Sequence, residues 1–508
     1  MSVLTLAAVA GSLAALMSGP VPAAGGGSAR PTDIQLSGEI TDRDLHTYVE
    51  APFDVPEHVS RVTVAFRQDG AAQRTTIDLG LQDPNRFRGW SGGNKTGFTL
   101  SETDATPSYL AGDLPAGRWT LLLGVPNIRR GVVTRYTATV HLDYAGDPAA
   151  ASPFNGAPLK VGPAWYRGDL HLHTAHSDGH CRSQAGLSVP CPVFRVLETA
   201  AARGLDFVVV TDHNTESQNS SLRELQPYFD RLLLIPGREL TTFTGHANAL
   251  GVTSHLDFRV DGRHVIDANA LADAVHGAGG LLSINHPANP SGEICMGCGW
   301  TAPGFDFAHA DAIEVVNGGN VRATGAADGA LSGLGLWTKL MNEGLHPTAV
   351  GGSDSHDADQ LSGPGSVGSP TTVVYAEDLS EHAILAGLRE GRVYIDVDGR
   401  PGRALDLTVT GPQGQVVIGG HLSAGKGSRL TIAMRAMGVA GGHFEIVSDE
   451  DLPRFPALTT ALDAPLLEED VRTILVPSDG KHHWIALHVR DASGRLVMIS
   501  NAIRIDGR

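Results

Sequence analysis

The chain has 508 residues, more than one hydrophobic core ordinarily serves, so two or three domains are expected. Apolar residues make up 42% and glycine is abundant at 62 residues, which excludes a disordered chain and points to a globular, turn-rich one. The 38 Lys and Arg against 55 Asp and Glu leave a net charge of −17, and with no long basic run to offset it nucleic acid is not expected as the main partner.

Residues 3–24 are apolar and small and end in Pro20-Val21-Pro22-Ala23-Ala24. This is the pattern of a cleaved export signal, although no Lys or Arg stands near Met1. Residues 1–25 are therefore expected to be a signal peptide and the protein periplasmic or extracellular; an Ala-rich disordered N-terminus or a membrane anchor is the alternative. No later stretch approaches twenty uninterrupted apolar residues, so no membrane span is expected in the mature protein. Across 31–148, strand-like runs at 61–66, 76–79, 118–123 and 134–144 are punctuated by Asp, Gly, Pro and Asn, which predicts an N-terminal β-sandwich domain. An Ala-, Pro- and Gly-rich stretch, 149–163, reads as the linker.

From 164 to 398, strand-like runs alternate with helix-like ones, such as 193–203 closing at Gly204 and 269–276 closing at Gly277. Ligand-type residues stand at the ends of these strands. In His171-Leu172-His173 the alternation of a strand points both imidazoles to one face. Asp178 follows in the same loop. Phe207-Val208-Val209-Val210 runs into Thr211-Asp212-His213, and Leu232-Leu233-Leu234-Ile235 runs into Arg238 and Glu239, with His246 seven residues on. Leu281-Leu282-Ser283-Ile284 leads to Asn285-His286, and residues 348–352 lead to Asp354 and His356. One such His is usually a hydrogen-bonded core or loop residue. Six imidazoles and three carboxylates at one edge of successive strands would be buried at severe cost unless cations occupy the middle. Between these strands, residues 312–316 lead into Asn317-Gly318, where Asn317 fits a turn, a supporting role or a substrate contact equally. Residues 399–508, with alternating runs at 404–409, 430–434, 483–489 and 495–505, read as a second small β domain.

The nine positions, in this order, resemble the polymerase and histidinol phosphatase (PHP) superfamily of metal-dependent phosphoesterases, and their spacing is most similar to its CehA/McbA-type branch. The resemblance spans about 167–396. It implies a distorted (β/α)7 barrel, an α/β fold flanked here by β-sandwich-like domains. It also implies two or three divalent ions: one held by His171, His173, Glu239 and Asp354, a second by Glu239, His246 and His286, and a third by Asp178, His213 and His356. Imidazole and carboxylate ligands accept Zn, Mn or Fe.

The activity expected is hydrolysis of a phosphate ester, monoester favoured over diester, on a small molecule or a cell-envelope polymer. A metal-bridging water held through Glu239, its pKa lowered to near 7, is the expected nucleophile. Arg167, Arg182 and Arg238 lie beside the motifs as possible phosphate clamps, with surface ion pairs as the alternative. The same ligands would serve a carboxyl-ester or carbamate hydrolase, and a non-catalytic metal-binding envelope protein is a further alternative. The four cysteines fall into two near pairs, Cys181 with Cys191 and Cys295 with Cys298. Disulfides within each pair suit an exported protein, while a site holding one zinc with all four remains open.

Overall fold

The structure is a computed structural model that describes residues 32–144, 154–293, 295–449, 462 and 464–507. The expected signal, 1–25, lies outside the described residues, as do 149–153 of the expected linker. Among the described residues no helix is long and apolar enough to cross a membrane.

Residues 33–144 form two four-stranded antiparallel sheets. Alternation decides their packing. Along Val133–Tyr144 every second side chain is buried, and Tyr136, Ala138, Val140 and Leu142 meet Leu79, Leu81, Leu121 and Leu123 in one core. Buried Asp104 ties the sandwich to the central part of the molecule. It accepts from Arg61 Nη1 at 2.9 Å within the sandwich and from Arg223 Nε at 2.6 Å beyond it.

The central part is built on nine strands: β1 (Val161–Asp169), β2 (Phe207–Val210), β3 (Leu233–Thr242), β4 (Gly245–Leu250), β5 (Leu281–Ile284), β6 (Ala312–Asn317), β7 (Thr348–Gly352), β8 (Thr371–Asp378) and β9 (Val393–Asp396). They lie in the order β7-β6-β5-β4-β3-β2-β1-β8-β9. β2, β5, β6 and β7 are buried along their whole length, which is why they read as continuous apolar runs. Six helices accompany the strands: α1 (Val193–Ala202), α2 (Asn219–Leu225), α3 (Ala268–Gly277), α4 (Gly318–Thr324), α5 (Leu334–Asn342) and α6 (Glu381–Arg389).

The uniform strand–helix alternation expected for a (β/α)7 barrel is not kept. β4 runs antiparallel to both β3 and β5, because Thr242 and Gly245 pair across a tight hairpin too short for a crossover helix. Among the described residues only a 3-10 turn, Phe307–His309, stands between β5 and β6. The arrangement is a sheet-rich α/β one. Where the strands end, the chain beyond β1 nonetheless meets the chain beyond β7: Asp354 N donates to His171 O at 2.9 Å and His173 N to Ser355 O at 3.1 Å. The two ends of the seven-strand row are thus stitched together at the ligand edge.

The C-terminal residues extend the same sheet. β9 pairs with Leu496–Ser500, which continues through His483–Arg490 and Ile503–Gly507 to His421–Ala424. A further four-stranded sheet formed by Ala404–Gly411, Gly414–Val417, Arg429–Met437 and Glu469–Pro477 covers it.

Candidate metal centre

All nine predicted ligand residues converge at the edge where the strands of the central row end. His171, His173 and Asp354 offer ligand atoms within 4.8 Å of one another, as do His171, Glu239 and His286, and, as a third group, His173, Asp178, His213 and His356. Glu239, at the end of the buried part of β3, stands between them. Its Oε2 lies 3.3 Å from His171 Nε2, 3.5 Å from His173 Nε2 and 2.8 Å from His213 Nδ1. Its Oε1 lies 3.3 Å from His246 Nδ1 and 3.4 Å from His286 Nε2.

The hydrogens of these rings are dictated from outside. A carbonyl oxygen only accepts, so His246 Nε2 donates to Met296 O at 3.1 Å and His286 Nδ1 to Cys298 O at 3.2 Å. His356 Nδ1 likewise donates to Asp354 O at 2.9 Å, and His171 Nδ1 to the Glu314 carboxylate at 3.0 Å. A neutral ring then turns a bare lone pair inward, facing carboxylate oxygens that are also acceptors. His171 Nε2 and Glu239 Oε2 are buried without a hydrogen-bond partner. Lone pairs facing each other repel unless a proton or a cation lies between them, and one carboxylate among five imidazoles is the donor chemistry that divalent zinc-class ions prefer. The residues present therefore fit the ions.

The acid–base balance shows the same demand. Burial works against charge on His171, but Asp354, Glu239 and Glu314 overcome it and raise that imidazole well above its ordinary value. Burial also raises Glu239, yet His171, His213 and His246 outweigh it and hold the carboxyl well below the usual range. His356, opposed by burial but paired with Asp178 and Asp354, is pushed up to about 9. In the protein without ions, protons take up part of the role of positive charge.

Three residues at the centre carry left-handed backbone. Asn214, His286 and Asp354 have φ of 51°, 27° and 52°, left-handed values that cost about 1–3 kcal/mol each for side chains other than glycine. The solvent side of the centre is formed by Asp178, His213 and His356, whose side chains are 58%, 29% and 35% exposed, while His171, His173, His286 and Glu239 are buried. The cluster opens to solvent on that side.

Supporting residues fall into two groups. Asp212 accepts from Thr174 N, Thr174 Oγ1 and Ser177 Oγ at 2.7–2.8 Å, and so braces the loop that carries Asp178. Glu314 is the residue that strand-end reasoning passes over. It lies inside β6, yet its Oε1 takes His171 Nδ1 while its Oε2 accepts from His286 N at 2.8 Å and Asn317 Nδ2 at 3.1 Å. Asn317 also donates to Asp354 Oδ2 at 3.2 Å. An acidic residue within the apolar run Ala-Ile-Glu-Val-Val was the available signal.

The arginines considered as phosphate clamps are engaged elsewhere. Arg182 is on an exposed hairpin and donates to Gly186 O at 3.0 Å. Arg238 alternates with Glu239 along β3 and so faces the other way, into Glu216 at 3.1 Å and Ser254 O at 2.6 Å. Arg167 is paired with Asp396 at 2.9 Å. The clamp expectation is corrected accordingly: none of the three guanidiniums is directed at the ligand cluster. His176, bonded to Ser217 Oγ at 2.7 Å, and His180, half-exposed, lie outside it. The cysteines form Cys181–Cys191 and Cys295–Cys298 disulfides, so the four-cysteine zinc alternative falls.

No family model and no curated protein matches this chain. Among solved structures, it is similar to a two-domain protein from Bacteroides vulgatus, described as containing a predicted PHP-like metal-dependent phosphoesterase. The identity is 18%, the match covers 67% of this chain and 96% of that one, and the TM-score is 0.37.

Proposed function

We propose that the chain is a PHP-type metal-dependent hydrolase of phosphate esters, in the CehA/McbA-like manner, with the strand row acting as a distorted barrel around the centre. The observation that carries the reading is the inward-facing set of imidazole lone pairs and carboxylates around Glu239, with His171 Nε2 and Glu239 Oε2 buried and unpartnered. His171, His173, Glu239 and Asp354 would hold one ion, Glu239, His246 and His286 a second, and Asp178, His213 and His356 a third. When bound, divalent Zn, Mn or Fe supplies Lewis acidity toward ester oxygens and a water acidic enough to ionise near neutral pH.

The chain's own residues do the rest. Glu239 directs one carboxylate oxygen to each of two ligand groups, which sets them side by side. Glu314, Met296 O and Cys298 O fix ring orientation, so ligand geometry is built before a substrate arrives. The partly exposed Asp178, His213 and His356 form the solvent side of the centre, where a small phosphomonoester would approach. Export, supported by the two disulfides, would make the substrate a small molecule or an envelope component.

A second reading, hydrolysis of a carboxyl ester or carbamate, is favoured by one observation. The three arginines beside the motifs spend their guanidiniums on Gly186, Glu216, Ser254 and Asp396, so none of them selects for a phosphate dianion. A matched panel separates the readings: nitrophenyl phosphate, the corresponding diester, nitrophenyl acetate and an aryl carbamate, each with and without chelator. Chelator-sensitive cleavage of the phosphates, monoester fastest, is expected. Turnover of acetate or carbamate alone would replace the phosphoesterase reading with the second one.

A further inference from the structure

A second cluster of mixed imidazole and carboxylate donors lies apart from the centre, at the other end of β5 and β6. Asp273 and His276 are three residues apart on α3 and so share one helix face. His309 closes the 3-10 turn Phe307–His309 beside them. One ligand atom from each of the three lies within 4.8 Å of the other two.

The geometry is near that of a bound ion. A tetrahedral zinc with bonds of about 2.0–2.1 Å sets neighbouring ligand atoms about 3.3 Å apart. His309 Nδ1 and Asp273 Oδ1 are 3.2 Å apart. The imidazoles of His276 and His309 are nearly parallel, 12° between planes with centroids 6.4 Å apart. His276 is also held from behind: its Nε2 meets Asp311 Oδ2 at 2.8 Å, and the same oxygen accepts from Leu282 N at 2.8 Å. A carboxylate anchored to a strand and bonded to one ring nitrogen is how ligating imidazoles are commonly oriented.

We propose that Asp273, His276 and His309, with Asp311 orienting His276, bind one divalent ion of the zinc class, separate from the hydrolytic centre. Two imidazoles with one carboxylate select a borderline ion such as zinc over calcium or magnesium, which prefer oxygen ligands. Three protein ligands leave the fourth position to water. Asp273 is 68% exposed, so this ion exchanges with the surrounding solution, unlike ions at the buried ligands of the centre. It would clip α3 to the turn before β6, joining the lead-ins of β5, beyond whose far end His286 stands, and of β6, which carries Glu314. None of this depends on the substrate assignment.

The test is metal content. The full chain is stripped with chelator, dialysed against zinc and counted by elemental analysis, beside a His276→Ala/His309→Ala variant and, as a milder change at an exposed position, Asp273→Asn. The double variant is expected to hold one zinc equivalent fewer than the parent, and Asp273→Asn to lose the same equivalent at a higher free zinc concentration than the parent does. Ester hydrolysis by the loaded proteins should agree within about twofold, since these residues are remote from the reacting ligands. Equal zinc content in parent and double variant overturns the proposal, as does a lost equivalent accompanied by loss of hydrolysis, which would place the missing ion at the centre.

Discussion

Glu239 and Glu381 are both buried carboxylates, and their surroundings drive them in opposite directions. Imidazoles on several sides keep Glu239 ionised against the pull of burial. Glu381, at the start of α6, is almost wholly enclosed, its Oε2 has no hydrogen-bond partner, and burial outweighs the distant attraction of Arg223 and pushes it up to about 8. A carboxyl with a folded pKa above its unfolded value near 4.5 binds its proton more tightly in the native state. Its contribution to stability is therefore complete below about pH 4.5 and is lost as pH rises toward 8. Glu381→Gln removes that dependence. The variant should melt higher than the parent at pH 9, by an amount on the order of a few kcal/mol at most, with little difference at pH 5. Thermal unfolding at the two pH values checks this, and an equal difference at both would contradict it. Single residues were legible in the sequence where an ionisable group followed an apolar run, as with His213, Glu239 and His286. Glu314 was not, because its carboxylate reaches the centre from within a strand instead of from its end. The arginines misled for the opposite reason: adjacency in sequence on a strand places neighbours on opposite faces, as Arg238 beside Glu239 shows.

At the scale of elements, the short loop closed by Cys295–Cys298 matters more than its length suggests. Two of its carbonyls, Met296 O and Cys298 O, accept from His246 and His286, so the loop determines which ring nitrogen of each is free to bind. Gly297 fits only because it has no side chain: a Cβ there would run into Thr242 O in the β3–β4 hairpin, and its φ is 77°. Replacing both cysteines, Cys295→Ser with Cys298→Ser, should loosen both carbonyls and weaken retention of the ion held by His246 and His286 by about 10–100-fold, in competition with a chromogenic chelator. Unchanged retention would show that the carbonyls hold their positions without the disulfide. Spacing set the cysteines in two near pairs but left their connectivity, and a zinc site made of all four, open; the structure pairs Cys181 with Cys191 and Cys295 with Cys298. The antiparallel direction of β4 was not legible: a hydrophobic pattern gives the period of an element and says nothing about its orientation.

Across the whole molecule, the parts are coupled more tightly than a string of domains would be. Asp104 bonds Arg61 in the sandwich and Arg223 on α2, and an acid shared by two buried guanidiniums holds the sandwich in one register against the central sheet. The C-terminal strand His483–Arg490 alternates between two cores: Trp484 and Ala486 pack with the central part, Ile485, Leu487 and Val489 with the C-terminal sheet. Its sequence reads as one strand of a separate β domain because burial on both faces looks the same whichever body supplies the second face. Alternation and apolar runs are local patterns, whereas the continuous sheet arises from pairings far apart in the chain, such as Tyr394 with Ser500, which local pattern does not carry.

The proposed function rests on Glu239 gathering divalent ions between its neighbouring imidazoles. The direct measurement is reconstitution: chelator-stripped protein, and a Glu239→Gln variant treated alike, are titrated with Zn, Mn or Fe while bound ions and ester hydrolysis are followed together. Stripped protein should be inactive, activity should return in step with ion content, and Glu239→Gln should bind fewer ions and stay at background because it no longer offers two anionic oxygens to neighbouring ligand groups. Undiminished hydrolysis by stripped protein, or a Glu239→Gln variant with full ion content and full activity, would contradict the account.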